Sequence, residues 1–355
     1  MTTLIIPCAG KSSRFPNIKP KWLFTHPDGK IMIEKSIAPF LNNKKIKKKI
    51  ISTTYEIEKK YNVTLLFKQM FGSKVKVFIL KTKTKSASET VFKTISHFKI
   101  RGQLLIKDSD SFFSIDTKFK IYNKNFVVGV DITKNSQITN IHQKSFISLN
   151  NKKQIIDIEE KKIISNQICV GLYSFGSTKD FINHYKYCAR NIKNGEIYIS
   201  LVVKSMINQN NLFLYTEGAN YEDYGTFEDW LLIRKKYRTF FVDLDGVIFV
   251  NKGKYGKQNW KTTNKIIKNN VQTLLKLNVN GAQLIFTSAR PETNKKNITR
   301  DLNKIGFLNY KILLGLNHSQ RILINDYYTT NPNPSAIAIN IKRDNNTLSQ
   351  LIQSI

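Results

Sequence analysis

The sequence predicts an α/β protein made of two Rossmann-like domains. Three observations lead there. Short apolar runs alternate with stretches of helical spacing, the rhythm of strand–helix units on a mostly parallel sheet. Small-residue or acidic loops follow several of those runs directly, where open α/β sheets place their ligands. The rhythm restarts near Thr239, in a chain of 355 residues that is long for one core.

Leu4 to Cys8 is a short apolar run, read as a buried strand, and Ala9-Gly10-Lys11-Ser12-Ser13-Arg14-Phe15 is the loop after it. Small side chains there let backbone N–H groups approach an anion, so Ala9, Gly10, Ser12 and Ser13 are candidate phosphate cradles. Arg14, Lys19 and Lys21 add three cations close behind. A helix is expected from about Met32 to Ala38, ended or kinked at Pro39. Lys49 to Thr53 and Val75 to Leu80 read as strands, and Ser86 to His97 as a helix. Gln103 to Ile106 is a strand running into Lys107-Asp108-Ser109-Asp110, which puts two carboxylates at a strand end.

Strands follow at Phe126 to Ile132 and, after a polar hairpin-like region, near Ile156 to Lys161 and Gln167 to Phe175. Helices cover Asp180 to Arg190 and Ile199 to Ile207. Leu212 to Tyr215 leads into Tyr221-Glu222-Asp223-Tyr224-Gly225-Thr226, and Phe227 to Lys236 is helical. The second half begins with a strand at Thr239 to Val242. Asn264 to Leu277 and Glu292 to Ile305 read as helices around a strand at Leu284 to Thr287. Ile312-Leu313-Leu314, Ile322-Leu323-Ile324 and Ala336 to Ile341 are expected to complete the sheet, with a last helix at Thr347 to Ile355. No Gly/Ser or Pro-rich linker separates the halves, so the restart of pattern alone places the domains at 1–236 and 237–355.

The net charge is +32, from 57 Lys and Arg against 25 Asp and Glu. A polyanionic partner is one explanation. Lysine, asparagine and isoleucine are abundant throughout, however, as an AT-rich coding sequence would give. The dense run Lys44-Lys45-Ile46-Lys47-Lys48-Lys49 has no interleaved aromatic platform for bases. Composition is therefore preferred over a dedicated nucleic-acid surface. Cys8, Cys169 and Cys188 are widely spaced and form no metal-ligand pattern, which fits a reducing compartment. The first residues lack a basic n-region, and no apolar run is long enough to span a bilayer, so the expected location is cytoplasmic without a membrane partner. A homo-oligomer is left open.

In the first half, Ala9-Gly10-Lys11-Ser12-Ser13-Arg14 with Pro20-Lys21 precedes Asp108-Ser109-Asp110. Glu160-Lys161, Gly171-Leu172-Tyr173, Gly195-Glu196 and Asp223-Tyr224-Gly225-Thr226 follow in that order. Over about residues 3 to 235 this set resembles the sugar-nucleotidyltransferases, the pyrophosphorylases that make NDP-sugars, whose fold is a mixed, GT-A-like sheet. The resemblance implies that an acceptor phosphate attacks the α-phosphorus of an NTP and pyrophosphate leaves. The Gly10 loop would cradle the NTP phosphates, with Arg14 and Lys21 stabilising the transferring and leaving groups. Asp110 and Asp223 would hold Mg²⁺ through hard carboxylate oxygens. Lys161 would meet the phosphate of a sugar or polyol phosphate, and Glu196 its hydroxyls. Two positions depart from the family pattern. Ser12 or Ser13 stands for a second glycine of the first loop, and Ser86 stands where relatives carry a base-reading glycine.

In the second half, Phe240-Phe241-Val242-Asp243-Leu244-Asp245-Gly246-Val247 is an apolar strand ending in two closely spaced acids. Phe286-Thr287-Ser288-Ala289-Arg290 and Ile322-Leu323-Ile324-Asn325-Asp326 follow. Over about residues 238 to 345 these resemble the haloacid dehalogenase (HAD) superfamily, whose commonest members are phosphatases built on a parallel sheet. The resemblance implies Asp243 as nucleophile and Asp245 as acid/base. Thr287 or Ser288 would hold the phosphoryl group, Arg321 (or else Lys311) would be the cation, and Asp326 would join Asp243 and Asp245 at Mg²⁺. The family's second acid after Asp326 is missing, and the short insert between Val250 and Thr262 leaves no room for a large cap. The combined expectation is a bifunctional enzyme of surface-glycan or capsule precursor synthesis. The alternative is a nucleotide- or phosphate-binding regulatory protein with one domain, the HAD-like one, catalytically silent.

Overall fold

The computed structural model describes residues 1–10, 15, 19–115, 124–134, 138, 140–192, 195–251, 265–326 and 336–355. It divides into two compact units, Met1–Leu231 and Leu232–Ile355.

The first unit is built on a mixed sheet that has nine strands among the described residues. Strand β1 (Thr2–Pro7) lies between β2 (Ile46–Thr54) and β4 (Gln103–Lys107), with β3 (Lys76–Leu80) outside β2, all four parallel. Leu4, Ile5 and Ile6 are wholly buried. Leu4 and Ile6 join one apolar cluster and Ile5 another. Burial of alternate residues in two clusters explains a continuous apolar run where a one-sided strand would alternate. Each such side chain contributes about 1.5–3 kcal/mol of burial. The first cluster takes in α1 (Met32–Leu41) and α3 (Val63–Phe71), and the second α4 (Ala87–Phe98), α5 (Thr178–Asn191) and α6 (Ile199–Ile207).

Beyond β4 the sheet changes character. The next strand, β9 (Gln167–Phe175), runs antiparallel to β4 and to β6 (Phe126–Asp131). Outside β6 come β10 (Phe213–Glu217), β8 (Gln154–Glu160) and β7 (Ser145–Leu149). A separate two-stranded ladder pairs β5 (Ser111–Ser114) with β11 (Ala219–Asp223). Because β2 and β3 lie on one side of β1 and β4 on the other, the chain reverses its direction of travel between β1 and β4. Sheets of this kind bind ligands beyond that switch point.

Pro39 does not end its helix, which runs on through it to Leu41. It sits in the last turn, where the N–H it lacks costs a single bond and little helix remains to distort.

The second unit has three parallel strands, β12 (Thr239–Asp243), β13 (Gln283–Thr287) and β14 (Tyr310–Leu313), in that spatial order. Val271 and Leu274 of α8 (Lys268–Val279) share a core with Ile298 and Leu302 of α9 (Lys295–Ile305), Leu284 and Phe286. The larger sheet expected from the sequence is not formed. Ile322, Leu323 and Ile324 are exposed and form no strand, and the described residues 336–341 form none either. A three-residue apolar run fixes no strand without a neighbour to pair with. Glu292–Asn294 is a 3₁₀ turn ahead of α9, and the last helix is shorter than expected, α10 (Leu348–Gln353). Among the described residues, no helix is long and apolar enough to cross a membrane.

Candidate active site

At the end of β1 the chain passes Cys8, Ala9 and Gly10; Cys8 Sγ lies in the core, where burial pushes its thiol far above the usual range. Ser12, Ser13 and Arg14 lie outside the described residues. At the end of β4 the fully buried Lys107 turns its Nζ onto the Asp108 carbonyl (2.7 Å), the Ser111 carbonyl (2.9 Å) and Ser111 Oγ (2.8 Å). Burial lowers the Lys107 pKa to about 8 against the pull of Asp108 and Asp110. Ser36 Oγ donates to the same Asp108 carbonyl (2.6 Å), and the Asp108 N–H donates to Gly171 O (2.8 Å). Burial and the Asp110 charge raise the pKa of Asp108 above the usual carboxylate range. Of the two strand-end acids, Asp108 is held to the scaffold through its backbone, and Asp110 is the one that pairs with Lys21.

The β5–β11 ladder brings Asp110 to Asp223. Its register sets Asp223 against Ser111, and the Tyr224 N–H donates to Asp110 O (2.8 Å). A Cβ placed on Gly225 would stand 3.0 Å from Asp223 Oδ1 and 3.9 Å from Asp110 Oδ2, so both carboxylates line the same spot. The Gly225 N–H donates to Asp223 Oδ1 (2.9 Å). Each carboxylate also holds an ammonium group. Lys21 Nζ pairs with Asp110 Oδ2, and Lys144 Nζ with Asp223 Oδ2. Lys21 begins a 3₁₀ turn, Lys21–Leu23, anchored by the buried Trp22 and Leu23. Lys144 had no signal in the sequence: it lies in a polar stretch with many lysines, and only the fold brings it to Asp223.

Behind Asp223 is a close-knit polar cluster. Glu222 Oε2 accepts from Tyr224 OH (2.6 Å) and pairs with Lys35 Nζ (3.3 Å), which also pairs with Asp28 Oδ2 (3.3 Å). The buried His26 lies 2.9 Å from Asp28 Oδ1. Thr226 and Asp229 form a reciprocal cap at the start of α7 (Phe227–Lys236), with Asp229 N–H donating to Thr226 Oγ1 (3.1 Å) and Thr226 N–H to Asp229 Oδ2 (3.1 Å).

Of the expected acceptor residues, Lys161 adjoins Lys144. Lys161 lies just past β8 and donates to Tyr198 OH (2.8 Å). Its own N–H donates to Lys144 O (2.9 Å), which sets the two lysines side by side at the open end of the β7–β8 pair. The neighbouring Glu160 is fixed by Ser145 (2.5 Å) and Ser200 (2.7 Å). Glu196 is exposed. Ser86, one of the two departures from the family pattern, caps α4 by accepting from the Glu89 N–H (3.1 Å) and is 5% exposed, which commits its hydroxyl to the helix.

No protein-family model matches the chain, and no curated protein matches it in sequence. Solved structures do match it in shape. A nucleoside-diphosphate-sugar pyrophosphorylase from Vibrio cholerae RC9 superposes with a TM-score of 0.56 at 19% identity, covering 65% of this chain and 99% of its own. A glucose-1-phosphate thymidylyltransferase from Bacillus anthracis, so described, gives 0.53 at 19% identity over 66% of this chain and 94% of its own. About 65% of this chain has the nucleotidyltransferase fold. A UDP-glucose pyrophosphorylase solved with UDP-glucose agrees, with a TM-score of 0.51 at 14% identity over 66% of this chain and 97% of its own. None of these three reaches the remaining third.

In the second unit, β12 ends at Asp243. Burial of its surroundings and the nearby Asp245 charge raise the Asp243 pKa to about 6, against Arg321 and Arg343. Asp245 is held by Arg290, whose Nη2 donates to Oδ1 (2.6 Å) and Nε to Oδ2 (3.0 Å), and by Ser288 Oγ (3.0 Å). Ser288 is buried, and its Oγ also accepts from the Arg290 N–H (3.1 Å). The Thr287 carbonyl accepts from the Leu244 N–H (3.0 Å). Arg290, the side chain that grips Asp245, stands in the Ser-Ala-Arg segment as the second missed residue. Gly246, at φ +93°, lets the chain turn after Asp245, and a Cβ there would meet Arg343 Cγ at 2.9 Å. Arg321 Nη1 donates to the carbonyls of Asn317 (3.0 Å) and Ser319 (2.5 Å). Asp326 lies on the exposed stretch after Ile324 and not at a strand end, because the strand that was to carry it is not formed.

Proposed function

We propose that the chain transfers a nucleotidyl group from an NTP to a sugar phosphate or polyol phosphate. An acceptor phosphate oxygen forms a bond to the α-phosphorus, the bond to the β-phosphate breaks, and pyrophosphate leaves. The observation that carries this reading is the meeting of Asp110 and Asp223 beyond the β1/β4 switch point. A pair of carboxylates suits Mg²⁺, which keeps several waters and takes substrate phosphates as its other ligands. Such an ion would supply charge neutralisation at the phosphate oxygens. Asp110 and Asp223 would hold it. Ala9, Gly10, Ser12 and Ser13 would cradle the NTP phosphates, and Arg14 with Lys21 would neutralise the transferring and leaving groups. Lys161 would take the acceptor phosphate and Glu196 its hydroxyls.

For the second unit the proposal is hydrolysis of a phosphate monoester at Asp243. Its carboxylate attacks phosphorus while Asp245 protonates the leaving oxygen, and water then cleaves the aspartyl phosphate. Ser288, Thr287 and Arg321 would hold the phosphoryl oxygens, with Asp243, Asp245 and Asp326 around Mg²⁺. One observation favours a second reading, a phosphate-binding unit without turnover: both Asp245 oxygens already accept from Arg290.

Fused activities commonly share a pathway, so the proposed setting is surface-glycan or capsule precursor synthesis in the cytoplasm. The test is a screen for pyrophosphate release with Mg²⁺, NTPs and a panel of sugar and polyol phosphates. Wild type should release pyrophosphate with at least one pair, and Asp223→Ala should lower the rate at least about 100-fold. Equal rates in the two proteins would overturn the reading. Phosphate release from a bisphosphate panel, lost in Asp243→Asn, separates hydrolysis from silent binding.

A further inference from the structure

Lys144 is the part of the first site that the proposed reaction leaves without a role. Its placement is built, not incidental. Asn140 Nδ2 donates to Thr226 Oγ1 (3.0 Å) and to Asp229 Oδ1 (3.0 Å). Those bonds pin the Ile141–Gln143 turn to the start of α7, just after Asp223, and Lys144 follows that turn directly. The Lys144 and Asp223 side chains are each 12% exposed, so their ion pair is largely withdrawn from solvent. With Lys21 on Asp110, the two carboxylates and two ammonium groups balance to no net charge. A divalent cation entering between the carboxylates meets an ammonium on each of them, and like charges a few ångströms apart in a partly buried site repel strongly.

We propose that Lys144 is a resident counter-ion of Asp223 that a divalent cation must displace, and that the displaced ammonium then binds the phosphate of the acceptor beside Lys161. The second half follows from the strand pairing. The Lys161 N–H donates to Lys144 O (2.9 Å), so a lysine swung off Asp223 remains next to Lys161. Arrival of the cation and assembly of a two-lysine phosphate site become one event. The empty enzyme then binds cation weakly, and bound phosphate and bound cation strengthen each other. This rests on the nucleotidyltransferase reading of Asp110 and Asp223.

The experiment titrates the full chain with Mn²⁺ alone, followed by electron paramagnetic resonance, in wild type, Lys144→Met, Lys144→Arg and Asp223→Ala. Lys144→Met should bind Mn²⁺ at least about tenfold more tightly than wild type, Lys144→Arg like wild type, and Asp223→Ala should lose the site. In a second titration, with Mg²⁺ present, inorganic phosphate should bind Lys144→Met about tenfold more weakly than wild type. Should Lys144→Met fail to fold, Lys144→Gln removes the same charge. Unchanged or weaker Mn²⁺ binding in the neutral variants, with the site lost in Asp223→Ala, would overturn the counter-ion role and leave the metal reading standing. Mn²⁺ binding that ignores Asp223→Ala would remove the metal reading and this inference with it.

Discussion

Gly171 shows how tightly the first site is built at the scale of one residue. It adopts φ +80°, and a Cβ there would stand 2.6 Å from Asp108 Oδ2. Gly171→Ala combines left-handed backbone strain with a clash against a strand-end carboxylate. It should cost about 2–5 kcal/mol, read from the denaturant midpoint. His26 gives a pH dependence. Burial and the Lys35 ammonium lower its pKa below the ordinary histidine value of about 6.5, against the pull of Asp28 and Glu222. As pH falls, an unfolded chain protonates His26 before the folded one does. Its contribution to stability is therefore whole above about 6.5 and is lost as pH drops through that value towards the folded pKa. The melting temperature should fall less between pH 7.5 and 5 in His26→Gln than in wild type. Single residues were unevenly legible. Asp110 stood out as an acid at an expected strand end, and Asp223 through the Asp-Tyr-Gly-Thr piece of the family resemblance. Lys144 did not, because one lysine in a lysine-rich chain carries no local mark, and the Asn140 anchor that places it acts across the fold.

Among the elements, those with two-sided burial were the plainest to read. The apolar runs of β1, β4 and β9 have no polar alternation to blur them. The ladder that assembles the site was not seen, since β5 is only four residues, Ser-Phe-Phe-Ser, and its partner β11 is mostly polar. Short strands owe their conformation to the partner, which a local pattern does not contain. Helix α4 shows the reverse case, with its start written into the sequence. The Ser86 side chain accepts from the Glu89 N–H, and Ser88 Oγ donates to Ile197 O (2.5 Å). Ser86→Ala should destabilise the protein by about 1 kcal/mol, measured by chemical denaturation. In the second unit Asn270, fully buried, donates to Val247 O (2.9 Å) and Asn345 O (2.8 Å) and so ties the loop after Asp245 to the segment near Asp344. Asn270→Leu leaves two partly buried carbonyls without that donor. A loss of about 2–4 kcal/mol is expected in the same measurement.

For the whole molecule, the restart of the strand–helix rhythm was legible, and the structure has two compact units. The extent of the second sheet was not, because Ile322–Ile324 and Ala336–Ile341 read as strands by composition alone. The two proposed sites lie on separate units and should respond separately to mutation. Asp110→Asn should abolish pyrophosphate release and leave phosphate release within about twofold, and Asp243→Asn the converse. A chain in which either change silences both activities would need a single shared site.

The position of β10 has a consequence for the newly made chain. This strand lies between β6 and β8, and β11, just after it, delivers Asp223 to Asp110. On the ribosome the loop after β1 emerges first and Asp223 more than two hundred residues later. Until β10 is made, β6 and β8 lack the strand between them, and until Asp223 follows, the site has one of its two acids. On the proposed reading, nucleotide chemistry would be withheld from the growing chain: the residues that complete the fold of the first unit would be the same ones that switch it on.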